Sequence, residues 1–307
     1  MVKVFIDGSA GTTGLRIVDR LSGREDISLI KLPEGLRKDV CARKEAINSA
    51  DVVFLCLPDA AAIEAVSLVD NKSVKIIDTS TAHRTANDWT YGFPELKGQR
   101  ERIVNSNRIA NPGCHASGFV ALVAPLVQAG IIKDDANLCC FSLTGYSGGG
   151  KKMIAEYESD EISPLLTAPR QYGLTQQHKH LKEMVHVCGL NSAPVFCPIV
   201  GDFYSGMEVT VPLFASQIAG SVDDIKAGYA EYYSAGLVHL IGEDDGDGML
   251  SAAAFSGRDD MAINVNGNAE RILLTARFDN LGKGASGAAI QNMNILLGLN
   301  EAEGLII

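Results

Sequence analysis

The sequence predicts an α/β chain in which an open, parallel-sheet domain precedes a second, α+β domain. The 307 residues are enough for about two domains. In the first third, short apolar strand patterns alternate with helix patterns, which is typical of parallel βαβ units and a doubly wound sheet. After residue 114 the strand patterns are separated by irregular connections, which indicates a mixed or largely antiparallel sheet.

The elements of the first third follow one another in a regular order. Four apolar runs predict strands: VKVFIDG, ISLIKL, ADVVFLCLP and KIIDTST. Helix patterns begin at Thr12, cover residues 42–50 and begin again at Ala60, so each of the first three strands is followed by a helix. This order predicts that the four strands are parallel neighbours in one sheet.

The remaining chain predicts a different layout. A long helix pattern follows Cys114, and strands are predicted in NLCCFSLTGYS, SAPVFCPIV, GMEVTVPLFA and VNGNAERILLTARFDN. The last segment, GKGASGAAIQNMNILLGLN, is predicted to be a helix with a glycine-rich entrance. We therefore predict domains over residues 1–113 and 114–284, with a C-terminal helix over 285–307 that packs back on the first domain.

Composition excludes several classes of protein. The net charge of -10 disfavours nucleic acids and anionic membranes as partners, although a small anionic substrate can still meet a local positive patch. The N-terminus has no secretory pattern, and no apolar run approaches a membrane span. The seven cysteines form no C-x-x-C pair, which argues against a disulfide framework and a zinc site. We expect a cytoplasmic protein with free thiols, a small-molecule substrate and no metal.

A glycine-rich loop joins the first strand to the first helix. Gly8, Gly11 and Gly14 stand where a turn needs positive φ and where a pyrophosphate can meet the free amides of a helix N-terminus. The alternative is a tight structural turn. At the end of the second strand no acidic residue occupies positions 31 and 32, while Lys31, Arg37 and Lys38 can meet a 2′-phosphate. This favours NADP over NAD.

Cys114 stands between the turn signal NPG and the helix pattern HASGFVALVAPLVQAG. A helix N-terminus lowers the pKa of a thiol, and its free amides can hold the oxyanion of an acyl intermediate. The pattern therefore suits covalent catalysis. The alternative is a buried packing residue, as most free cysteines are.

Two further segments are candidates for the same site. His178 and His180 lie in TQQHKHLKEM, where a helix is predicted from near Thr175; residues two apart on a helix point to different faces, so we expect one of them to face the site. TGYSGGGKK predicts a flexible loop after a strand. This loop either binds an anionic group through its amides and a lysine or is only a connection.

Seven motifs occur in the order GSAGTTG, DTSTAHR, YGFPEL, NPGC, GYSGGGK, HKH and DNLGKGASGAAIQNMN. In this combination the whole chain resembles the N-acetyl-gamma-glutamyl-phosphate reductase family, in its shorter form. The resemblance implies a Rossmann domain followed by an α+β catalytic and dimerisation domain, like those of aspartate-semialdehyde dehydrogenase. It also implies NADPH-dependent reduction of an acyl phosphate to an aldehyde in arginine biosynthesis, by a homodimer or homotetramer.

The resemblance also implies roles for particular residues. The nucleophile is Cys114, and the acid/base is His180, with His178 held open. The implied cofactor-binding residues are Gly8, Ser9, Gly11, Thr12, Thr13, Gly14, Ser80, Asn280, Gly282 and Lys283, with Gly284 in the same loop. The implied substrate-binding residues are Arg84, Asn111, Ser147, Gly148 and Lys151. Ser205 stands where the longer form of the family carries an arginine, so the phosphate-binding residue stays open between Arg84 and Lys151.

Two other functions remain open on the sequence. An acyl-phosphate reductase of the aspartate-semialdehyde dehydrogenase type would share the cysteine chemistry but recognise a free α-amine. A non-catalytic, NADP-sensing Rossmann protein would keep the glycine loop and use Cys114 only for packing.

Overall fold

The computed structural model describes all 307 residues, and the chain forms two units. Each unit is assembled from segments that are separated in sequence. Unit 1 comprises Met1–Pro94, Gly98–Pro112 and Ala285–Ile306. Unit 2 comprises Glu95–Lys97, Gly113–Gly284 and Ile307.

Unit 1 is built on a parallel sheet of six strands. In chain order these are β1 (Val2–Asp7), β2 (Ile27–Ile30), β3 (Val52–Leu55), β4 (Lys75–Asp78), β5 (Thr90–Tyr91) and β6 (Arg108–Ala110), and their spatial order is β2-β1-β3-β4-β6-β5. Every neighbouring pair is parallel. The predicted parallel α/β architecture is confirmed. Strands β5 and β6 are too short to carry a periodic pattern, so the sequence does not predict them.

The helices of the first 112 residues connect these strands. They are α1 (Thr12–Leu21), α2 (Val40–Ser49), α3 (Asp59–Ser67) and α4 (Gln99–Val104). Successive residues of β1 belong to different core clusters: Val4 and Ile6 pack in one, and Phe5 packs in the other. Both faces of the sheet are therefore covered, which explains why its strands read as continuous apolar runs.

Unit 2 is built on a mixed sheet of seven strands. They are β7 (Cys139–Gly145), β8 (Arg170–Gln171), β9 (Val195–Gly201), β10 (Met207–Phe214), β11 (Val238–Leu240), β12 (Met261–Gly267) and β13 (Arg271–Phe278), in the spatial order β11-β12-β13-β10-β7-β9-β8. The pairs β11/β12 and β7/β9 are parallel, and the other four pairs are antiparallel. This sheet confirms the predicted α+β character of the second domain.

One helix forms the centre of unit 2. The helices are α5 (Cys114–Gln128), α6 (Gly150–Tyr157), α7 (His180–Cys188) and α8 (Val222–Tyr232). Helix α5 packs on β10 and β13 and also contacts α7 and α8, so it is buried along nearly its whole length. A Cβ at Gly118 would lie 2.5 Å from Cγ2 of Val209, so only glycine lets α5 approach the sheet this closely.

The last helix of the chain is α9 (Gly287–Leu296), which belongs to unit 1 and follows a π-helical turn over Gly282–Ser286. Ile290 and Met293 of α9 pack in the core cluster that contains Val4 and Ile6. The predicted extension of this helix to residue 307 is wrong, because Gly298 has a φ of 68° and the remaining residues form turns. None of the helices combines the length and the apolar character that crossing a membrane requires.

Candidate active site

Helix α5 begins at Cys114, as the sequence predicts, and the thiol is partly exposed. Its N-cap, Gly113, has extended backbone and no capping side chain. The free amides and positive dipole end of a fifteen-residue helix therefore lie at the sulfur. Such a position favours the thiolate and provides donors for an oxyanion.

Glu183 of α7 ties the start of α5 to a second helix. The backbone N–H of Gly113 donates to Oε1 of Glu183 at 2.8 Å, and the glutamate is 2% exposed. Glu183 is not among the residues predicted from the sequence. Its position three residues after His180, one turn along α7, was the available signal, since residues three apart share a helix face.

The prediction of a helix from near Thr175 is wrong, because α7 begins at His180 and residues 173–179 are not helical. His178 therefore precedes the helix, and the rule that residues two apart face differently does not apply to it. The ring centroids of His178 and His180 are 4.7 Å apart, and both rings lie within 6 Å of the His115 ring. The N–H of His180 donates to Nδ1 of His178 at 3.3 Å. Three imidazoles thus form one cluster next to the start of α5.

Burial keeps two of these imidazoles neutral. It lowers the pKa of His115 to about 3, with a further contribution from His178. It also lowers the pKa of His178, with a smaller contribution from Lys179. His115 is therefore uncharged at neutral pH, and its two ring nitrogens lie 2.6 Å from Oγ of Ser142 and 2.6 Å from the hydroxyl of Tyr172. No sequence pattern indicates that Ser142 and Tyr172 lie beside His115.

The predicted residues Asn280, Gly282, Lys283 and Gly284 lie in a loop whose last three members begin the π-helical turn. Oδ1 of Asn280 accepts from the Gly206 N–H at 2.9 Å, and its Nδ2 donates to Ser147 Oγ at 3.0 Å. These contacts hold the loop within unit 2.

The two glycines of this loop lie close to neighbouring atoms. A Cβ at Gly282 would lie 2.0 Å from the carbonyl oxygen of Arg258. A Cβ at Gly284 would lie 3.0 Å from Cβ of Cys114, so glycine leaves room beside the thiol. Lys283 makes an ion pair with Glu95 at 2.6 Å, in which both side chains are 1% exposed.

The predicted substrate residues lie in both units. The segment predicted as a flexible loop is helical instead: residues 146–149 form a 3-10 turn that continues into α6. Ser147 in this turn is buried, Gly148 follows it, and Lys151 is exposed at the start of α6. Lys151 can therefore meet an anion in solution.

Arg84 and Asn111 lie in unit 1 and are both buried. Nε of Arg84 donates to the carbonyl of Asn111 at 2.9 Å, and Nη2 donates to the carbonyl of Thr79 at 3.0 Å. Nδ2 of Asn111 donates to the carbonyl of Ala285 at 2.9 Å. Through these bonds, Arg84 links Asn111 to Thr79 after β4, and Asn111 itself contacts Ala285.

Gly8 and Gly14 of the unit 1 glycine loop are required by its geometry, and of the three predicted glycines Gly8 alone has a positive φ. Gly8 has a φ of 87°, and a Cβ there would lie 2.2 Å from the carbonyl oxygen of Cys56. A Cβ at Gly14 would lie 2.5 Å from the carbonyl oxygen of Gly8, so α1 packs directly on the turn. Gly11 is the N-cap of α1 and leaves its first amides without a side-chain cap. This is the geometry that a bound pyrophosphate uses.

A groove of about 650 Å³ opens beside this loop. Gly8 and Ser9 line it together with Lys31, Arg37 and Lys38, the cations that the sequence analysis selected for a 2′-phosphate. Leu15, Val18, Leu29 and Leu57 supply an apolar wall. The combination of free amides, apolar wall and three cations fits the adenosine end of NADP.

Three further predicted cofactor residues complete this region. Thr12 and Thr13 occupy the first turn of α1 and are partly exposed. Ser80 is buried, and its hydroxyl donates to Oδ2 of Asp78 at 2.7 Å. Ser80 therefore fixes the loop after β4, while the two threonines keep hydroxyls at the helix N-terminus.

Comparison with known proteins assigns the family. Residues 31–106 match the semialdehyde dehydrogenase NAD binding domain, and residues 114–280 match the semialdehyde dehydrogenase dimerisation domain. The N-acetyl-gamma-glutamyl-phosphate reductase of Trichormus variabilis is 47% identical over 99% of both chains, and that of Sinorhizobium medicae is 44% identical over 96% of this chain and 98% of its own. The chain belongs to the N-acetyl-gamma-glutamyl-phosphate reductase family. The resemblance inferred from the motifs is confirmed.

Solved structures at low sequence identity share the fold of this chain. Aspartate semialdehyde dehydrogenase II of Vibrio cholerae, in complex with ASA, has a TM-score of 0.72 at 15% identity, covering 97% of this chain and 98% of its own. The Candida albicans enzyme with NADP has a TM-score of 0.67 at 16% identity, covering 97% and 98%. The N-acetyl-gamma-glutamyl-phosphate reductase family therefore shares its two-domain fold with aspartate-semialdehyde dehydrogenases.

Proposed function

We propose that this chain is the NADPH-dependent N-acetyl-gamma-glutamyl-phosphate reductase of arginine biosynthesis and that Cys114 is its nucleophile. The observation that carries the proposal is the thiol at the N-terminus of α5, beside a cluster of histidines, in a chain 47% identical to such a reductase. The reaction converts the acyl phosphate to N-acetylglutamate semialdehyde and inorganic phosphate.

The acylation step uses groups of unit 2. A histidine of the HKH segment, His180 in our proposal with His178 as the alternative, takes the proton of the Cys114 thiol. The thiolate attacks the γ-carbonyl carbon, and the amides at the start of α5 hold the oxyanion. When the carbonyl reforms, the C–O bond to the phosphoryl group breaks and phosphate leaves, which yields a thioester on Cys114.

The reduction step completes the reaction. NADPH, when bound, supplies the hydride that reduces the thioester carbon. The resulting thiohemiacetal oxygen is held by the same α5 amides and by the protonated histidine until the C–S bond breaks. The aldehyde then leaves, and the histidine returns its proton to the sulfur. Glu183, which accepts from Gly113, keeps the start of α5 fixed through both steps.

The test is the reverse reaction, followed by NADP reduction with N-acetylglutamate semialdehyde and phosphate. We expect turnover in the native enzyme and a loss of at least about 1,000-fold in Cys114→Ser, with NADPH binding retained. Cys41→Ser is the matched control, because Cys41 is exposed on α2 of unit 1. Turnover with aspartate semialdehyde instead would assign the chain to the sister reaction, and no turnover with either aldehyde would favour the sensor function.

We also propose that Lys31, Arg37 and Lys38 bind the 2′-phosphate of NADPH. They line the groove that Gly8 also lines, and their positive charges would attract the phosphate. Arg37→Ala should raise the KM for NADPH about tenfold while leaving that for NADH nearly unchanged. Lys72→Ala, an exposed lysine outside the groove, is the control. Equal effects of Arg37→Ala on both cofactors would contradict the assignment.

We further propose that the protein is an oligomer built on the open face of the unit 2 sheet, at least a homodimer. Phe141, Val195, Phe214 and Leu273 are exposed on the four adjacent strands β7, β9, β10 and β13. Phe141 lies opposite Thr210 and Cys197, so these side chains share one face, and α5 packs on the other face. An uncovered apolar sheet face of this kind marks an interface.

Phe214→Glu tests the interface, because it places a charge at the patch without touching the core. We expect size-exclusion chromatography with light scattering to show a smaller species than the native assembly. An unchanged mass would contradict the proposed face.

We also propose a reducing, cytoplasmic compartment, because all seven cysteines are free thiols.

A further inference from the structure

The segment that carries His178 is held on β9 by the side chain of Gln176. Nε2 of Gln176 donates to the carbonyl of Phe196 at 2.7 Å, and its Oε1 accepts from the Phe196 N–H at 2.9 Å. A single side-chain amide therefore bonds both backbone polar groups of Phe196, as a residue of a neighbouring antiparallel strand would.

These bonds continue the pairing of β9 beyond the end of β8. Strand β8 pairs with β9 as far as Ile199, and the Tyr172 N–H then donates to the carbonyl of Pro198 at 3.0 Å. Gly173 has a φ of 65°, and residues 174–175 form a turn, so the strand does not continue. Alternate residues of a strand bond to the same neighbour, which makes Phe196 the next residue to be paired on this edge. Gln176 provides that pairing through its side chain.

The backbone of Gln176 depends on these contacts. Its φ is 55°, and Asp247 is the other non-glycine residue with a positive φ. Left-handed backbone is unfavourable for a residue with a Cβ and persists where the surrounding contacts determine it. The contacts here are the two bonds to Phe196 and the bond from the Gln176 N–H to the Gly173 carbonyl at 3.0 Å. The shape of the turn therefore depends on the Gln176 amide.

Phe196 links this amide to the histidine cluster. Its side chain is 1% exposed, and its ring centroid lies 5.2 Å from that of His178 and 5.3 Å from that of His115. His178 follows Gln176 by two residues, and its Nδ1 accepts from the His180 N–H at 3.3 Å. Gln176 thus bonds the residue on which two imidazoles pack and also fixes the chain that leads into the third.

We propose that Gln176 is a positioning residue for the acid/base histidine: its amide holds residues 173–179 on Phe196 and so keeps His178 and His180 in the cluster beside the start of α5. The inference rests on the proposed function, in which a histidine of this segment exchanges a proton with Cys114. A misplacement of about 1 Å can cost about 100-fold in rate, so a residue that does not touch the substrate can still control kcat.

Hydrogen exchange in the full-length chain tests the contact without substrate or cofactor. Gln176→Met keeps the length of the side chain and removes both bonds to Phe196. The Phe196 N–H then loses its acceptor, so the peptide that contains Phe196 should take up about one more deuteron at short exchange times. Gln177→Met is the matched control, because Gln177 is the exposed neighbour of the same type, and its uptake at Phe196 should equal that of the native chain.

Turnover tests the role of the contact. In the reverse reaction we expect Gln176→Met to lower kcat about 10-fold to 100-fold. The KM for NADP should change by less than about twofold, because the glycine loop belongs to unit 1 and Gln176 to unit 2. Gln177→Met should keep the native kcat.

The pH profile separates a misplaced histidine from an inactive fraction, which would lower kcat equally at every pH. Burial lowers the pKa of His178, so a loosened turn that exposes the ring lets it take up a proton at a higher pH. The loss of kcat in Gln176→Met should therefore grow as the pH falls from 9 to 6. The titratable groups around His178 are the same in both proteins: His115, His180, Tyr172 and Lys179.

Gln176→Gly separates positioning from stability. Glycine removes the amide but also removes the cost of a positive φ. We expect its Tm to fall less than that of Gln176→Met, while its kcat falls at least as far. A kcat that follows Tm across the two variants would assign Gln176 a role in stability alone and would count against the proposal.

Three other results would overturn the proposal. They are unchanged deuterium uptake at Phe196 in Gln176→Met, an equal fall in kcat in Gln177→Met, and a kcat of Gln176→Met that is native or is reduced by the same factor at every pH. Failure of the proposed function is separate, since it appears as a Cys114→Ser variant that still reduces NADP, and the exchange measurement needs no turnover.

Discussion

Removal of one partner of the Lys283–Glu95 ion pair should destabilise unit 2 strongly. The charged atoms are 2.6 Å apart, and both side chains are 1% exposed. Coulomb attraction at this distance is about 6 kcal/mol at an effective dielectric constant of about 20. Desolvation costs several kcal/mol for each ion, so the intact pair contributes little net stability. Lys283→Met, however, removes the cation from a carboxylate that stays buried and accepts from the Leu237 N–H, and such losses cost about 3–5 kcal/mol.

Urea unfolding followed by far-UV circular dichroism measures this change, and Trp89 fluorescence reports unit 1 separately. We expect Lys283→Met and Glu95→Leu each to lower the free energy of unfolding by about 3–5 kcal/mol, and the double variant to lose far less than the sum. Single losses below about 1 kcal/mol that add in the double variant would refute the reasoning. If Lys283→Met instead kept its stability and lost NADPH affinity, the cofactor role implied by the family resemblance would be the correct one.

Three further predictions concern other positions. His115 has a pKa of about 3 in the folded chain and about 6.5 in the unfolded chain, so below pH 6.5 only the unfolded chain gains this proton and stability falls. Between pH 7 and pH 5, the free energy of unfolding in urea should therefore fall by about 2 kcal/mol more for the native enzyme than for His115→Gln. Equal losses in the two proteins would contradict a buried neutral imidazole. Gly118→Ala should lower the free energy of unfolding by about 1–3 kcal/mol in a thermal unfolding experiment, because its Cβ would meet Val209. Gly228→Ala on α8, where no heavy atom lies closer than 3.9 Å to the new Cβ, should raise it by up to about 1 kcal/mol. A stability gain at both sites would rule out the close approach at Gly118. Gly14→Ala should weaken NADPH binding at least tenfold by fluorescence titration, since its Cβ would displace the turn, and unchanged affinity would show that the turn adapts.

Local sequence determined the regular elements of this protein. Four apolar runs specify the first four strands of unit 1, because a strand buried on both faces needs a continuous apolar run. The glycine loop and the start of α5 at Cys114 were also predictable, since a positive φ, an N-cap and a helix start depend on a few neighbouring residues. The family followed from motifs spread over the whole chain.

Local patterns failed where the backbone leaves regular geometry. The spacing before His180 predicts a helix, but Gly173 and Gln176 both have positive φ and the helix starts later. The glycine-rich segment after β7 was assigned to a loop on its composition, yet it is helical and holds Ser147 against Asn280. Tertiary contacts outweigh local propensity in such short segments.

Only the tertiary structure decided which groups meet and how they ionise. Glu95 and Lys283 are 188 residues apart in sequence, and Tyr172 meets His115 across 57 residues, so no periodicity could link either pair. Burial then sets the charge: His115 is neutral because the fold excludes water from it, although its free pKa would leave it partly protonated near neutral pH. Sequence specified the reactive thiol and its helix, whereas the fold supplied the partners that orient it, because partners are chosen by packing in three dimensions and burial is a property of the folded chain alone.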